Sequence, residues 1–239
     1  MIYAFKLRRL KTITILLLLA SLAVVWIPFG AKNSAKPALS NNIRSCLVID
    51  PGHGGRDGGA ISMGGNKESE INLAIALRME RIAELCGQAV VLTRRDDSGA
   101  DPMATSDYSE RRELEQRVEI ANAIPNAMFI SIHQNFYPTS EPKGAQVLYA
   151  AGEESEAWGN LTQNNLVACL DRENRRLAMP APKSLYITSH VSCPALLVEC
   201  GFMSNFSDVE KLLSKTYQTS LAVVLLASYL QFNSARTLT

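Results

Sequence analysis

The chain has 239 residues, 47% of them hydrophobic and 20% charged, enough for one large folded domain with a buried core. The net charge of +1 hides an uneven distribution: seven Lys or Arg and no acid lie in residues 1–44, and the remainder carries 17 basic and 23 acidic residues, a net of −6. That balance excludes a nucleic-acid binder, which needs a basic surface, and five cysteines without a C-x-x-C pair exclude a zinc ribbon.

Lys6, Arg8, Arg9 and Lys11 precede 20 uncharged residues, 12–31. The run is long enough to cross a bilayer, and its flanking charge holds the start of the chain in the cytoplasm. Residues 1–31 are therefore expected to form an uncleaved transmembrane anchor. A cleaved signal peptide is the alternative, disfavoured because no clean A-x-A site is present. In either case the rest of the chain is exported. Residues 32–44, "KNSAKPALSNNIR", read as a polar linker, and residues 45–235 as one domain.

Within that domain short apolar runs alternate with helical patterns. Strands are expected at 46–50 ("CLVID"), 89–93 ("AVVLT"), 128–132 ("MFISI"), 145–150 ("AQVLYA"), 184–188 ("SLYIT") and 195–199 ("ALLVE"). Ile71, Ile75, Met79, Ile82 and Cys86 recur at helical spacing after the first strand. Leu114, Val118 and Ala121 mark one face of a second helix, and further helices are expected near 156–176 and 216–232. The pattern predicts a single α/β domain, with a largely parallel, mixed sheet of about six strands flanked by helices. Cysteines in runs such as "CLVID" and "LLVEC" are expected to be free and to pack as small hydrophobes, with one disulfide as the alternative.

Three polar residues stand at expected strand ends: His53 just after the first, His133 after "MFISI" and Glu199 closing "ALLVE". In an open α/β sheet the carboxyl ends of the strands are where ligands bind, so these three ends point to one rim. Seven of the 14 glycines fall between Gly52 and Gly65, crowding His53. A phosphate loop is the rival reading, but neither G-x-x-x-x-G-K-[ST] nor G-x-G-x-x-G is present. The glycines are better read as folding the backbone tightly round His53 and returning Glu68 beside it. Two imidazoles with carboxylates make a donor set suited to zinc, three protein ligands leaving a fourth position for water.

The blocks "IDPGHGGRDGGA", "KESEINLAIAL", "VVLTRRDD", "RVEIANAI", "FISIHQN" and "PALLVECGFMSN" together resemble the zinc-dependent N-acetylmuramoyl-L-alanine amidases of bacterial cell walls. The segment "DYSERRELEQRVEIAN" and the N-terminal apolar run look most like the spore-cortex, germination-specific members. The resemblance implies one zinc ion per chain held by His53, Glu68 and His133, with Glu199 as the catalytic carboxylate. It implies peptidoglycan as substrate, muramic lactam formation in the spore cortex as the setting, and an activator or separate deacetylase as a partner. The location implied is extracytoplasmic, including the space between the forespore membranes.

Glu70 is an alternative ligand, read here as a solvated charge on the helix face. Gln134 stands where the family commonly has a small or apolar residue, a change expected at the floor or rim of the cleft. Asn135, Arg94 and Arg117 are candidate substrate contacts, although for both arginines pairing with domain carboxylates is the preferred reading. His190 is read as structural or rim-lining. Two other functions are kept: a silent wall-binding domain on the same fold, and a zinc peptidase with another wall substrate.

Overall fold

A computed structural model describes residues 45–100 and 109–236. The expected anchor at 1–31 and linker at 32–44 lie outside the described residues. Among the described residues no helix is long and apolar enough to cross a membrane.

Each apolar run that reads as a strand on both faces enters the sheet centre. In chain order the elements are β1 (Cys46–Pro51), α1 (Glu68–Leu85), β2 (Val90–Leu92), α2 (Glu110–Asn122), β3 (Ala127–Asn135), β4 (Gln146–Tyr149), α3 (Glu153–Cys169), β5 (Met179–Pro180), α4 (Tyr186–His190), β6 (Ala195–Phe202), α5 (Phe206–Leu213) and α6 (Lys215–Arg236). The six strands form one mixed sheet in the order β2-β1-β3-β6-β4-β5, parallel throughout except where β4 runs antiparallel to β6. This is the expected α/β architecture, with one correction. Residues 184–188 are not a strand. They enter the short helix α4, whose backbone closes on itself through Ser189 N–H to Leu185 O and Val191 N–H to Ile187 O. A five-residue apolar run fits either state, and here Ile187 is the buried contact. The sixth strand is instead the two-residue edge strand β5.

Strand alternation sorts the side chains onto two unequal faces. Leu47, Ile49, Met128, Ile130, Ile132, Leu196 and Val198 point to the larger core, which Ile75 and Met79 of α1, Trp158 of α3 and Tyr229 of α6 complete. Val48, Phe129 and Ala195 point to a smaller cluster closed by Val118 and Ala121 of α2 and Ile187 of α4. Following the alternation, Asp50, Ser131, His133 and Glu199 belong to the smaller face, and Gln134 and Cys200 to the larger core. Two short helices do not cover the whole of that smaller face, so its carboxyl end is where polar groups can meet a ligand.

All five cysteines are free. Cys200 is buried as expected and Cys46 and Cys193 are half-buried, but Cys86 and Cys169 are exposed at helix ends, where packing is not their role.

Candidate metal centre

β1 ends at Pro51, and the chain turns at once through Gly52 and His53. His53 has φ +59°, a left-handed conformation that a residue with a Cβ rarely adopts. Buried arginines hold the turn from beneath. Arg117 donates to Pro51 O at 2.9 Å and His53 O at 2.7 Å. Arg94 donates to Pro51 O at 2.9 Å, Gly52 O at 3.0 Å and Ser69 O at 2.9 Å. Arg117 also pairs with the fully buried Asp50 at 2.5 Å, and Asp50 accepts further from Thr93 and Ser131, each at 2.6 Å. Burial alone would raise the Asp50 carboxyl, but the Arg117 charge and the two hydroxyls outweigh it and hold the group below its usual range. Burial and the adjacent Arg117 charge bring Arg94 down to about 10.

Glu68 opens α1, where an acid suits the helix dipole, yet its side chain is buried against the turn. One carboxylate oxygen, Oε1, lies 3.2 Å from His53 Nε2 and 3.0 Å from His133 Nδ1. The backbone N–H of Gln134 donates to Oε1 at 2.9 Å and that of Ala60 to Oε2 at 2.9 Å. The two imidazole rings stand edge to face, with centroids 4.8 Å apart. Two glycines make this approach possible. A Cβ on Gly52 would lie 2.2 Å from His133 Nε2, and one on Gly59 would lie 2.7 Å from both Glu68 Oε2 and His53 Cδ2.

The ligand atoms of His53, Glu68 and His133 all lie within 4.8 Å of one another, making a group that can hold a metal ion. The donor set also fits zinc: ligands roughly 2.0–2.2 Å from a tetrahedral ion sit about 3.4 Å apart, close to the contacts with Oε1. His53 is pushed up to about 9, because the Glu68 and Asp57 carboxylates overcome the lowering effect of burial. Burial raises Glu68, but hydrogen bonds from the two imidazoles more than reverse it, so its net shift is downward. A carboxylate gripping two imidazoles favours positive charge at this point, whether proton or metal ion.

Glu199 is the in-register neighbour of His133 across the β3–β6 ladder. Its Oε2 is buried and accepts no hydrogen bond. Burial pushes its carboxyl up to about 7, the nearby imidazoles pulling it back and Glu68 adding to the rise. A buried carboxylate oxygen left without a donor beside this cluster is costly as structure and useful as a proton acceptor.

Residues 47–228 match the Amidase_3 family, described as N-acetylmuramoyl-L-alanine amidase. The chain belongs to that family. It is 34% identical over 200 residues to the germination-specific N-acetylmuramoyl-L-alanine amidase of Bacillus subtilis strain 168, covering 81% of this chain and 82% of the relative. Its fold is similar to the CwlD amidase from Clostridioides difficile, solved in complex with the GerS lipoprotein, with a TM-score of 0.72 and 30% identity over 80% of this chain and all of that one. The amidase AmiC2 of Nostoc punctiforme is similar at a TM-score of 0.66 and 32% identity, over 79% of this chain and 96% of that chain.

In this amidase the arginines proposed as substrate contacts are buried, with guanidinium donors spent on the carbonyls of the His53 turn. They hold the loop, in line with the structural reading preferred for both: Arg117 pairs with Asp50, and Arg94 bonds backbone carbonyls. Asn135 shares the face of His133 and is half-buried, after an irregularity in the ladder. Gln134 lies at neither rim nor floor: it is buried on the opposite face, donating to Asn72 Oδ1 at 3.0 Å. Glu70 is exposed, and the exposed His190 stacks on Tyr186 with centroids 3.8 Å apart. Sequence reasoning missed Asp57 and Asn72. Asp57 Oδ2 lies 2.6 Å from His53 Nδ1, while Asn72 donates to both Gly52 O and Glu68 Oε1 at 3.2 Å. The available signal was spacing: each stands four residues after the cluster residue it supports.

Proposed function

We propose that this amidase is zinc-dependent, with His53, Glu68 and His133 as ligands and Glu199 as general base. It hydrolyses the amide between the lactyl group of N-acetylmuramic acid and L-alanine. The observation that carries the reading is the buried, unpartnered Oε2 of Glu199 beside the three-ligand cluster. A zinc ion at the cluster would polarise the scissile carbonyl and lower the pKa of the attacking water towards about 7.

Glu199 takes a proton from that water as its oxygen bonds to the lactyl carbonyl carbon, and returns it to the nitrogen of L-alanine as the C–N bond breaks. The products are a muramic acid carboxylate and a stem peptide with a free amino terminus. A raised Glu199 suits both halves of this exchange, because a group poised near the working pH accepts and releases a proton with little cost. Asp57 holds the Nδ1 edge of His53, leaving Nε2 towards Glu68 as the ligand atom.

The likeness to a germination-specific relative supports a role on spore-cortex peptidoglycan, and the N-terminal apolar run supports a membrane-tethered, extracytoplasmic location. The lipoprotein bound to the CwlD relative supports an exported protein partner. Digestion of purified cortex and vegetative peptidoglycan, with products identified by mass, tests the reading. Release of intact stem peptides beginning with L-alanine is expected, and cleavage elsewhere in the peptide would replace it with the peptidase reading.

Asp57→Ala should weaken zinc binding about 10–100-fold, the usual cost of losing a carboxylate behind a ligating imidazole. Competition with a fluorescent zinc chelator measures this directly. An affinity equal to wild type would show that the His53 ring is held by the turn alone.

A further inference from the structure

The turn at residues 62–66 faces the start of α5 across a groove of about 420 Å³. Both walls grow out of the metal centre. The turn is the tip of a bridge pairing Ile61 with Lys67, and just beneath it Ala60 N–H donates to the Glu68 carboxylate. The other wall starts at Met203, whose N–H donates to the carbonyl of Asn135, two residues beyond His133. The two walls of the groove are thus tied by hydrogen bonds to the Glu68 carboxylate and to the strand that carries His133.

The lining has a distinctive chemistry. Met63 and Phe206 are 99% and 83% exposed, two large apolar side chains left in water. Asn66 and Ser204 add neutral polar groups to the lining, Asn205 is committed to Ser140 O and the N–H of Asp208, and the single ionisable lining residue is Glu210. The small pocket that His53 and His133 themselves line differs: Glu110, Glu113 and Arg117 of α2 wall it on the other side, and Arg111 of the same helix lies with its guanidinium over Tyr186. Exposed apolar surface beside convergent polar groups marks a ligand groove.

We propose that this groove receives the neutral glycan strand on either side of the muramic acid whose amide is cut. The proposal rests on the amidase reading and assigns the substrate's two halves. A stem peptide carries carboxylates and finds no cation among the lining residues, only the like charge of Glu210. A chain of N-acetylhexosamines carries none. Its pyranose CH faces and N-acetyl methyl groups match Met63 and Phe206, and its hydroxyls and amides match Asn66 and Ser204.

The test compares the full-length, zinc-loaded wild type with the Met63→Ala/Phe206→Ala double variant. Both side chains are exposed, so folding should be unaffected, which the melting temperature checks. Two substrates are used: a glycan tetrasaccharide bearing stem peptides, and a single N-acetylmuramoyl-peptide. The double variant should raise KM for the tetrasaccharide roughly tenfold with kcat near wild type, the mark of lost uniform binding, and leave KM for the single muramoyl-peptide unchanged. An equal rise for both substrates would place the peptide in the groove and overturn the proposal. So would no change for either, which would make the patch a docking surface for another protein. If wild type cuts neither substrate, the amidase reading itself fails and the groove assignment with it.

Discussion

Glu199→Gln should lower the rate of amide hydrolysis by roughly 10²–10⁴-fold while leaving zinc content near wild type. The amide keeps the size of the side chain but cannot take a proton from the attacking water. The position is unusual in that Oε2 is buried with no hydrogen-bond donor, so the substitution breaks no existing bond at that atom. Stability should fall little, because the one buried oxygen, Oε2, has no bond to lose. His133→Ala is the contrast. Its imidazole is one of three groups that converge on the cluster, so metal content and activity should fall together. Metal analysis of the two purified variants beside their rates on peptidoglycan separates proton transfer from metal retention. Loss of zinc from Glu199→Gln would make Glu199 a ligand and reopen the assignment of Glu68. Full activity would hand the base role to another carboxylate.

Arg117→Met should cost about 3–5 kcal/mol of folding stability at neutral pH, the usual penalty for stranding one half of a buried ion pair. Asp50 is fully buried, and Arg117 is its cationic partner at 2.5 Å. The sign of the pH dependence follows from the direction of the Asp50 shift. In wild type its carboxyl is depressed, so its contribution is complete above the unfolded value of about 3.9 and is lost as pH falls through the folded value. In the variant burial acts unopposed by Arg117 and the folded carboxyl rises, so acid stabilises the variant relative to its unfolded chain. The gap between the two proteins should therefore narrow as pH falls from 7 towards 4. Urea unfolding at several pH values reads it, and groups common to both proteins cancel in the difference. Adding Asp50→Asn to Arg117→Met should recover part of the loss, because it neutralises the stranded charge. A gap below about 1 kcal/mol, or one that ignores pH, would mean that Arg117 acts only through its bonds to Pro51 and His53.

The cluster of His53, Glu68 and His133 was legible in the chain because strand ends and glycine spacing are local. His53, His133 and Glu199 each follow an apolar run, and a parallel sheet brings the carboxyl ends of such runs to one rim. The same alternation placed Glu199 beside His133 on the face covered by two short helices. The segment at 184–188 misled, since five apolar and polar residues in a row carry no period long enough to separate strand from helix. What only the tertiary structure decided is which polar groups satisfy one another. Arg117 lies 67 residues from Asp50 and 64 from His53, and nothing in its neighbourhood along the chain says that its donors will close on the His53 turn instead of a substrate. Gln134 and His133 are adjacent in sequence, yet the pleat sends one into the core and the other to the cluster with His53 and Glu68. Pairing at such separations depends on how the helices settle on the sheet, and that is set by the packing of the whole apolar core.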